Sequence, residues 1–213
     1  MEVKFKIIIA ALCCGILAVF VSVGFMSYAL WEDYTAGKRA AAIRQMLNEH
    51  IPKKNNIAAP EEKLEESEES AEYTENTPSL SSNKNKMIEI DGEFYIGILS
   101  IPFLGLELPV NNELSDERLN NSPCRYVGNL SESITISAHN YKQHFGKLST
   151  IPTGEKIIIT DANGVEHLYK TEAVIVLNGN DVDAMINNPY DLTLFTCTPD
   201  SKSRTTVRCV KMK

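Results

Sequence analysis

The feature that most constrains this chain is an uninterrupted apolar run near its N-terminus. Residues 7–30 contain no charged side chain, and these 24 residues, as a helix, would exceed the thickness of a bilayer's hydrocarbon core. The run therefore predicts one transmembrane helix. Because Lys4 and Lys6 precede it, we expect residues 1–6 in the cytoplasm and the rest of the chain outside the plasma membrane. A cleaved signal peptide ending near Ala29 is the alternative, although cleavable apolar regions usually span only about 7–15 residues.

A helical pattern continues beyond the apolar run. Residues 31–51 carry small and apolar side chains at helical spacing, and Pro52 ends the pattern. The members of this stripe are Ala36, Ala40, Ile43, Met46 and Leu47. We interpret residues 31–51 as a helical extension of the anchor that is exposed to solvent and has no partner.

An acidic segment follows. Residues 52–86 are rich in Glu, Ser, Asn and Pro, and residues 60–83 alone carry one Lys and eight Glu, which equals the formal net charge of −7. So few apolar side chains cannot offset the entropy lost on folding. The composition predicts a disordered linker that tethers a domain at some distance from the membrane.

Short strand patterns dominate residues 87–213. Asn163-Gly164 lies between two β-rich runs and indicates a tight hairpin. Further predicted strands are Tyr95–Ile101, Leu106–Val110, Ile134–His139, Leu192–Thr196 and Thr205–Met212, and the predicted short helices are Ser115–Asn121 and Asp181–Asn188. About eight short strands with little helix predict an all-β barrel or sandwich. Residues 84–213 have 13 Lys/Arg, 16 Asp/Glu and no basic stripe, so we expect no nucleic-acid partner.

Three of the five cysteines lie beyond the anchor, namely Cys124, Cys197 and Cys209. An odd number in an oxidising compartment leaves at least one thiol without an intramolecular partner. A disulfide that includes Cys197 is one interpretation, and a free nucleophile is the other. The cysteines and histidines show none of the close paired spacings of metal sites, so we expect no metal and no cofactor.

The surroundings of Cys197 favour the nucleophile. A cysteine with an ordinary pKa of about 8.5 is only a few per cent thiolate at neutral pH, so a reactive one needs a neighbouring base or cation. His139 ends its strand on the polar side of the alternation. Arg204 follows Cys197 across a short polar segment, which as a hairpin loop would bring the two strand ends together. Arg208 shares the face of Arg204 but lies about 13 Å further along, so we expect a surface or supporting role for it.

These residues resemble a known family. The sequence Thr-Leu-Phe-Thr-Cys at 193–197, the arginine that opens the next strand, and Ala-His-Asn at 138–140 look like the sortases. The sequence YIGILSIPFLGLELPV at 95–110 is similar to their first two strands, so the resemblance covers about residues 94–212. Sortases are membrane-anchored cysteine transpeptidases of Gram-positive bacteria. The resemblance implies an eight-stranded sortase-type β-barrel for residues 87–213.

The resemblance also implies a two-step acyl transfer. Cys197 would attack the Thr–Gly carbonyl of an LPxTG-like sorting signal, and His139 would be the general acid and then the general base. Arg204 would hold the substrate carbonyl or the oxyanion. The substrate groove would be shaped by Ala138, Asn140 and Thr196.

The implied partners are secreted surface proteins with a C-terminal sorting signal and an amine acceptor, such as a peptidoglycan precursor. The sequence around His139 suggests a sortase of the B or D type and leaves the class unassigned. Two alternatives remain open. One is a secreted cysteine hydrolase that uses the same three residues, and the other is a surface-binding domain in which Cys197 forms a disulfide with Cys124 or Cys209.

Overall fold

The computed structural model describes residues 2–52 and 86–212, with side chains from Leu12 onward in the first segment. Almost all of the predicted linker, 52–86, lies outside the described residues. A single long helix, α1 (Glu2–His50), contains both the apolar run and its predicted extension. It is long and apolar enough to cross a membrane, and none of its apolar window is buried against the rest of the chain. A single helix of this kind is in itself weak evidence for a membrane anchor.

The other described residues, 86–212, form a β-barrel in which most neighbouring strands are antiparallel. Its strands are β1 (Ile88–Ile90), β2 (Glu93–Ile101), β3 (Leu106–Asn111), β4 (Cys124–Gly128), β5 (Ile134–Ser137), β6 (Lys156–Asp161), β7 (Glu166–Asn178), β8 (Leu192–Cys197) and β9 (Ser203–Lys211). Two short helices, α2 (Asp116–Leu119) and α3 (Val182–Ile186), lie in connections. The strand order is β1-β2-β3-β4-β5-β8-β9-β7-β6, and β6 pairs again with β2. This pairing closes eight strands, β2 to β9, so the expected barrel is confirmed and the sandwich is excluded.

The closure between β2 and β6 depends on a glycine. Gly97 has a φ of 152°, and a Cβ atom there would lie 2.0 Å from the backbone oxygen of Thr160. A larger residue would push the two backbones apart where the barrel closes. The strand pattern also missed two elements: β1, which has only three residues, and β4, whose alternation is interrupted by a register shift between Arg125 and Val127.

Alternating side chains of the strands fill the barrel. The core includes Leu99, Ile136, Ile159, Leu194 and Val207, each fully buried. The polar side of β5 was expected to be half-exposed, but Thr135 and Ser137 are also buried. β5 lies between β4 and β8 in the sheet, so both of its edges are paired as well.

The end of α1 packs on the barrel, contrary to the expected solvent-exposed extension. Ala36, Ala40 and Leu47 are almost fully buried, and Leu47 and Ile51 belong to a second apolar cluster with Ile88. The other members of this cluster are Ile90, Tyr95, Ile98 and Ala162. The predicted stripe was therefore correct in position, but its partner could not be seen from local spacing. Both ends of the linker thus lie on one side of the barrel.

Candidate active site

The register between β5 and β8 brings His139 close to Cys197. These strands are parallel and adjacent, and Ser137 pairs with Phe195. The pairing continues one residue further, because the backbone N–H of Ala138 donates to the oxygen of Phe195 at 3.2 Å. His139 and Cys197 follow two residues after Ser137 and Phe195 on strands about 4.8 Å apart. Both residues are partly exposed, at the same end of the barrel.

Arg204 lies on the other side of Cys197. In the antiparallel pair of β8 and β9, Cys197 and Arg204 are direct partners. Leu194 and Val207 face the barrel core, and since side chains alternate along a strand, Cys197 and Arg204 both face outward. The same alternation on β5 turns His139 outward. The side chains of Cys197, His139 and Arg204 thus leave the backbone on the same outer surface of three neighbouring strands.

The two arginines of β9 have different surroundings. Arg204 is partly exposed, and its Nη1 donates to the backbone oxygens of Ser201 and Ser203 at 3.2 and 3.0 Å, in the loop that joins the strands. Arg208 is only 3% exposed. Its guanidinium donates to Thr193 Oγ1 at 2.7 Å and to the backbone oxygens of Ala184 and Met185 in α3. Arg208 therefore has the supporting role that was expected and is not on the surface.

None of the cysteines forms a disulfide, so Cys197 is a free, partly exposed thiol. Cys209 pairs with Leu192, at the opposite end of β8 from Cys197, so these two sulfurs cannot reach each other. Cys124 and Cys209 are buried, and burial raises the pKa of each thiol to about 12. This structure does not support the surface-binding interpretation that depended on a disulfide through Cys197.

Partial burial also affects His139. It lowers the pKa of the imidazole below its usual value, and the carboxylates of Asp116 and Glu32 oppose this shift. The imidazole is therefore mostly neutral at neutral pH. A neutral imidazole beside a thiol can accept the thiol proton.

The residues expected to shape the groove divide into two groups. Ala138 belongs to the barrel core, and Thr196 is buried on the same inward-facing side of β8 as Leu194. Their side chains cannot line an outer groove, because each lies one residue from an outward-facing site residue on an alternating strand. This corrects the prediction for both residues. Asn140 is exposed beside His139 and stays a candidate.

Several residues near the site were not predicted. Tyr141 packs its ring on His139, with ring centroids 5.1 Å apart, and Glu32 of α1 accepts a hydrogen bond from the Tyr141 hydroxyl. His144, in the same loop, is fully buried. Phe145 and Leu148, which follow in the same loop, are buried together with His144. The contact with α1 had no local signal.

The described residues show no group of three or more His, Cys, Asp or Glu side chains that could hold a metal ion. The local chemistry is thus that of a thiol, an imidazole and a guanidinium. Such a set can carry out nucleophilic acyl transfer, in which a thioester forms and is then resolved.

Comparisons with known proteins give the family and the fold. A family model described as the sortase domain matches residues 99–212, more than half of the chain. No curated protein matches. The fold is similar to that of sortase A from Corynebacterium diphtheriae, at 24% identity and a TM-score of 0.50, covering 56% of this chain and 61% of that one. Its lid mutant is similar at 23% identity and a TM-score of 0.51, covering 57% and 72%.

A Clostridium perfringens sortase D5 transpeptidase is similar at 19% identity and a TM-score of 0.50, covering 56% of this chain and 79% of that one. The similar structures include sortases A, C and D, so they assign no class. At such identities they show the shared barrel, and the matched domain gives the family. This chain belongs to the sortase family of transpeptidases.

Proposed function

We propose that this sortase cleaves an LPxTG-like sorting signal between Thr and Gly and transfers the acyl group to an amine. Cys197 is the nucleophile, His139 is the general acid and base, and Arg204 stabilises the reacting carbonyl. The main support is the register of β5, β8 and β9, in which all three side chains leave the backbone on the same outer surface. The free state of Cys197 is a second support.

In the first step the sulfur of Cys197 attacks the threonine carbonyl carbon, and its proton passes to the neutral imidazole of His139. The tetrahedral oxyanion is held by the guanidinium of Arg204, the residue that pairs with Cys197 across β8 and β9. The C–N bond then breaks, and the imidazolium gives its proton to the leaving amine of glycine. The product is a thioester on Cys197.

In the second step an incoming amine attacks the thioester. His139 takes a proton from the attacking nitrogen, the C–S bond breaks, and the proton returns to the sulfur of Cys197. The product is a new amide, and the enzyme is restored. The amine belongs to a cell-wall acceptor such as a peptidoglycan precursor, and the acyl donors are secreted proteins with a C-terminal sorting signal.

The proposed location is supported by α1. Its apolar part is exposed to the surroundings over residues 12–31, with large apolar side chains more than half exposed, such as Phe20, Phe25 and Met26. Such a surface is stable in lipid and costly in water. The chain is a single-pass plasma-membrane protein with its N-terminus in the cytoplasm and the barrel outside.

The test uses the full-length chain in detergent micelles and a panel of LPxTG-like peptides. With an added amine such as triglycine we expect an amide product, and without it a thioacyl enzyme one acyl group heavier by intact mass spectrometry. Cys197→Ala should abolish both. Cys14→Ala, in the apolar span, is the matched control and should retain both.

Two results would change the proposal. If product is only the free acid even at high amine concentration, the hydrolase alternative is correct. If Cys197→Ala remains active, the nucleophile is elsewhere.

A further inference from the structure

The first turns of α1 beyond its apolar run touch the loop that follows His139. The hydroxyl of Tyr141 donates a hydrogen bond to Oε1 of Glu32, 2.9 Å away. The backbone N–H of Gln143 donates to Oδ1 of Asp33 at 3.3 Å. The helix and the loop therefore share hydrogen bonds between residues more than a hundred positions apart in sequence.

This contact is close because α1 has a glycine at the crossing. A Cβ atom on Gly37 would lie 2.8 Å from Cγ and 2.9 Å from Cβ of Gln143. Two residues later the guanidinium of Arg39 donates to the backbone oxygen of Asn120, 3.1 Å away. The helix thus lies directly against the loop, and there is no room for a larger side chain at residue 37.

Tyr141 connects this contact to the site. Its ring is 5.1 Å from the His139 ring and 5.5 Å from the ring of the buried His144. Its hydroxyl has a second acceptor, Oδ1 of Asn120, at 3.4 Å. Burial and the bond to Glu32 raise the pKa of Tyr141 to about 12, so the hydroxyl keeps its proton and stays a donor. Tyr141 therefore holds one side of the His139 ring and is itself held by α1.

Several charged and titratable groups lie at the His139 end of the barrel, around His139 itself, around the adjacent rings of Tyr141 and His144, or on β8 and β9. They are Glu32 and Arg39 on α1, Asp116 on α2, Tyr141 and His144 in the same loop, and Cys197 and Arg204 on the neighbouring strands. Asp116 and Glu32 both favour the protonated imidazole. Glu32 thus acts on His139 through its charge as well as through Tyr141.

We propose that Glu32 and Tyr141 are positioning residues for the sortase reaction, and that the membrane anchor itself sets the orientation of the His139 imidazole. The inference rests on the proposed role of His139. Glu32 follows the apolar run by two residues, so the histidine end of the barrel is held at the edge of the membrane. A barrel without α1 lacks one of the supports of its own active site.

The experiment uses the full-length chain in micelles and compares four variants with two controls. Glu32→Gln removes the charge, Tyr141→Phe keeps the ring and removes the bond, the double variant removes both, and Gly37→Leu separates the helix from the loop. The matched controls are Glu49→Gln and Tyr34→Phe, which change exposed residues of α1 in the same way. Transpeptidation is measured against pH, and the His139 ring is titrated by NMR.

We expect kcat/KM to fall about tenfold in Glu32→Gln and Tyr141→Phe, because a misplaced general acid and base loses part of its effect. The double variant should lose no more than about the larger single effect, since both changes break one connection. The pKa of His139 should fall in Glu32→Gln, and the limb of the pH profile that it governs should move to lower pH. Gly37→Leu should lower the rate, and both controls should match the original chain.

The inference is wrong if Glu32→Gln leaves both the rate and the His139 titration unchanged, or if the two single effects add fully in the double variant. A loss of activity without any change in the His139 titration would assign Glu32 a structural role only. The proposed function fails separately, through an active Cys197→Ala or His139→Ala variant. Inactive Cys197→Ala beside a fully active Glu32→Gln would overturn only the inference.

Discussion

The outer face of β8 and β9 has an arginine near each of its two ends, but only one end is covered by other parts of the chain. At one end Arg208 and Thr193 lie beneath α3, and both terminal nitrogens of Arg208 and the Thr193 hydroxyl have hydrogen-bond partners. At the other end Arg204 and Cys197 are partly exposed. The covered end supports the fold, and the open end has a free thiol.

The open end also contains buried polar atoms that lack partners. Among the described residues, Oγ1 of Thr196 and both ring nitrogens of His144 have no well-formed hydrogen bond, although the backbone of Ala36 lies near His144. Unsatisfied groups of this kind lower stability. The comparison teaches that the fold keeps its best-satisfied polar contacts away from the end with the free thiol and accepts a cost next to it.

The largest effect is expected at the covered end. Arg208→Ala should lower the free energy of unfolding by about 4 kcal/mol, because Thr193 and two backbone oxygens of α3 lose their donor in a buried place. Denaturant unfolding of the full chain in micelles measures this. Lys170→Ala, an exposed change on β7, is the control. A loss below about 1 kcal/mol would mean that water replaces the guanidinium and that this end is less closed than it looks.

The second effect is a pH dependence at the open end. Burial lowers the pKa of His144 to about 4, below its value of about 6.5 in the unfolded chain. As the pH falls, His144 of the unfolded chain binds a proton before His144 of the folded chain does. The contribution of the neutral His144 ring to the free energy of unfolding is therefore complete above about pH 6.5 and is lost as the pH falls towards 4. The loss should be about 3 kcal/mol.

Unfolding of the original chain, of His144→Gln and of the exposed control His50→Gln should be compared at several pH values. His144→Gln should have the weaker pH dependence. Equal slopes in all three proteins would show that His144 finds a partner when it is charged.

The third effect separates the two arginines by activity. Arg204→Ala should lower kcat about 100-fold with little change in stability, since it removes the donor proposed to hold the oxyanion. Arg204→Lys should recover only part of the rate, because lysine lacks the planar donor set. Lys202→Ala, in the same loop, is the control. An unchanged rate in Arg204→Ala would remove the functional difference between the two ends.

The smallest effect compares two threonines of β8. Thr193→Val should lower the free energy of unfolding by about 1.5 kcal/mol, because Arg208 loses an acceptor, whereas Thr196→Val should raise it by about 0.5 kcal/mol. Calorimetry or denaturant unfolding of both variants side by side gives the sign. Two losses of similar size would show that the Thr196 hydroxyl has a partner after all.

Much of this molecule could be predicted from local patterns. Alternation and turn residues gave most strands, and the Asn163-Gly164 hairpin is present between β6 and β7. The site residues came from strand ends and from the family motif. Inward and outward faces were harder, since Ala138 and Thr196 were assigned to the groove from adjacency alone. One step along a strand reverses the face.

The packing of α1 could not be predicted, because its stripe gives the buried face but not the surface that covers it. Glu32 and Tyr141 are 109 positions apart, and no local periodicity connects them. The burial of His144 depends on the same contact, because its ring lies under α1 near Ala36. Long-range contacts of this kind are set by the whole tertiary structure.

The shared cluster of Ile51 and Ile88 has a consequence for the integrity of the protein in its cell. Ile51 and Ile88, on the two sides of the acidic stretch, belong to the same cluster, so the attachment of the barrel to α1 does not require that stretch to be intact. A protease that severed this stretch once would leave two fragments held together by their apolar contact. The barrel would remain bound to α1 after such a cut.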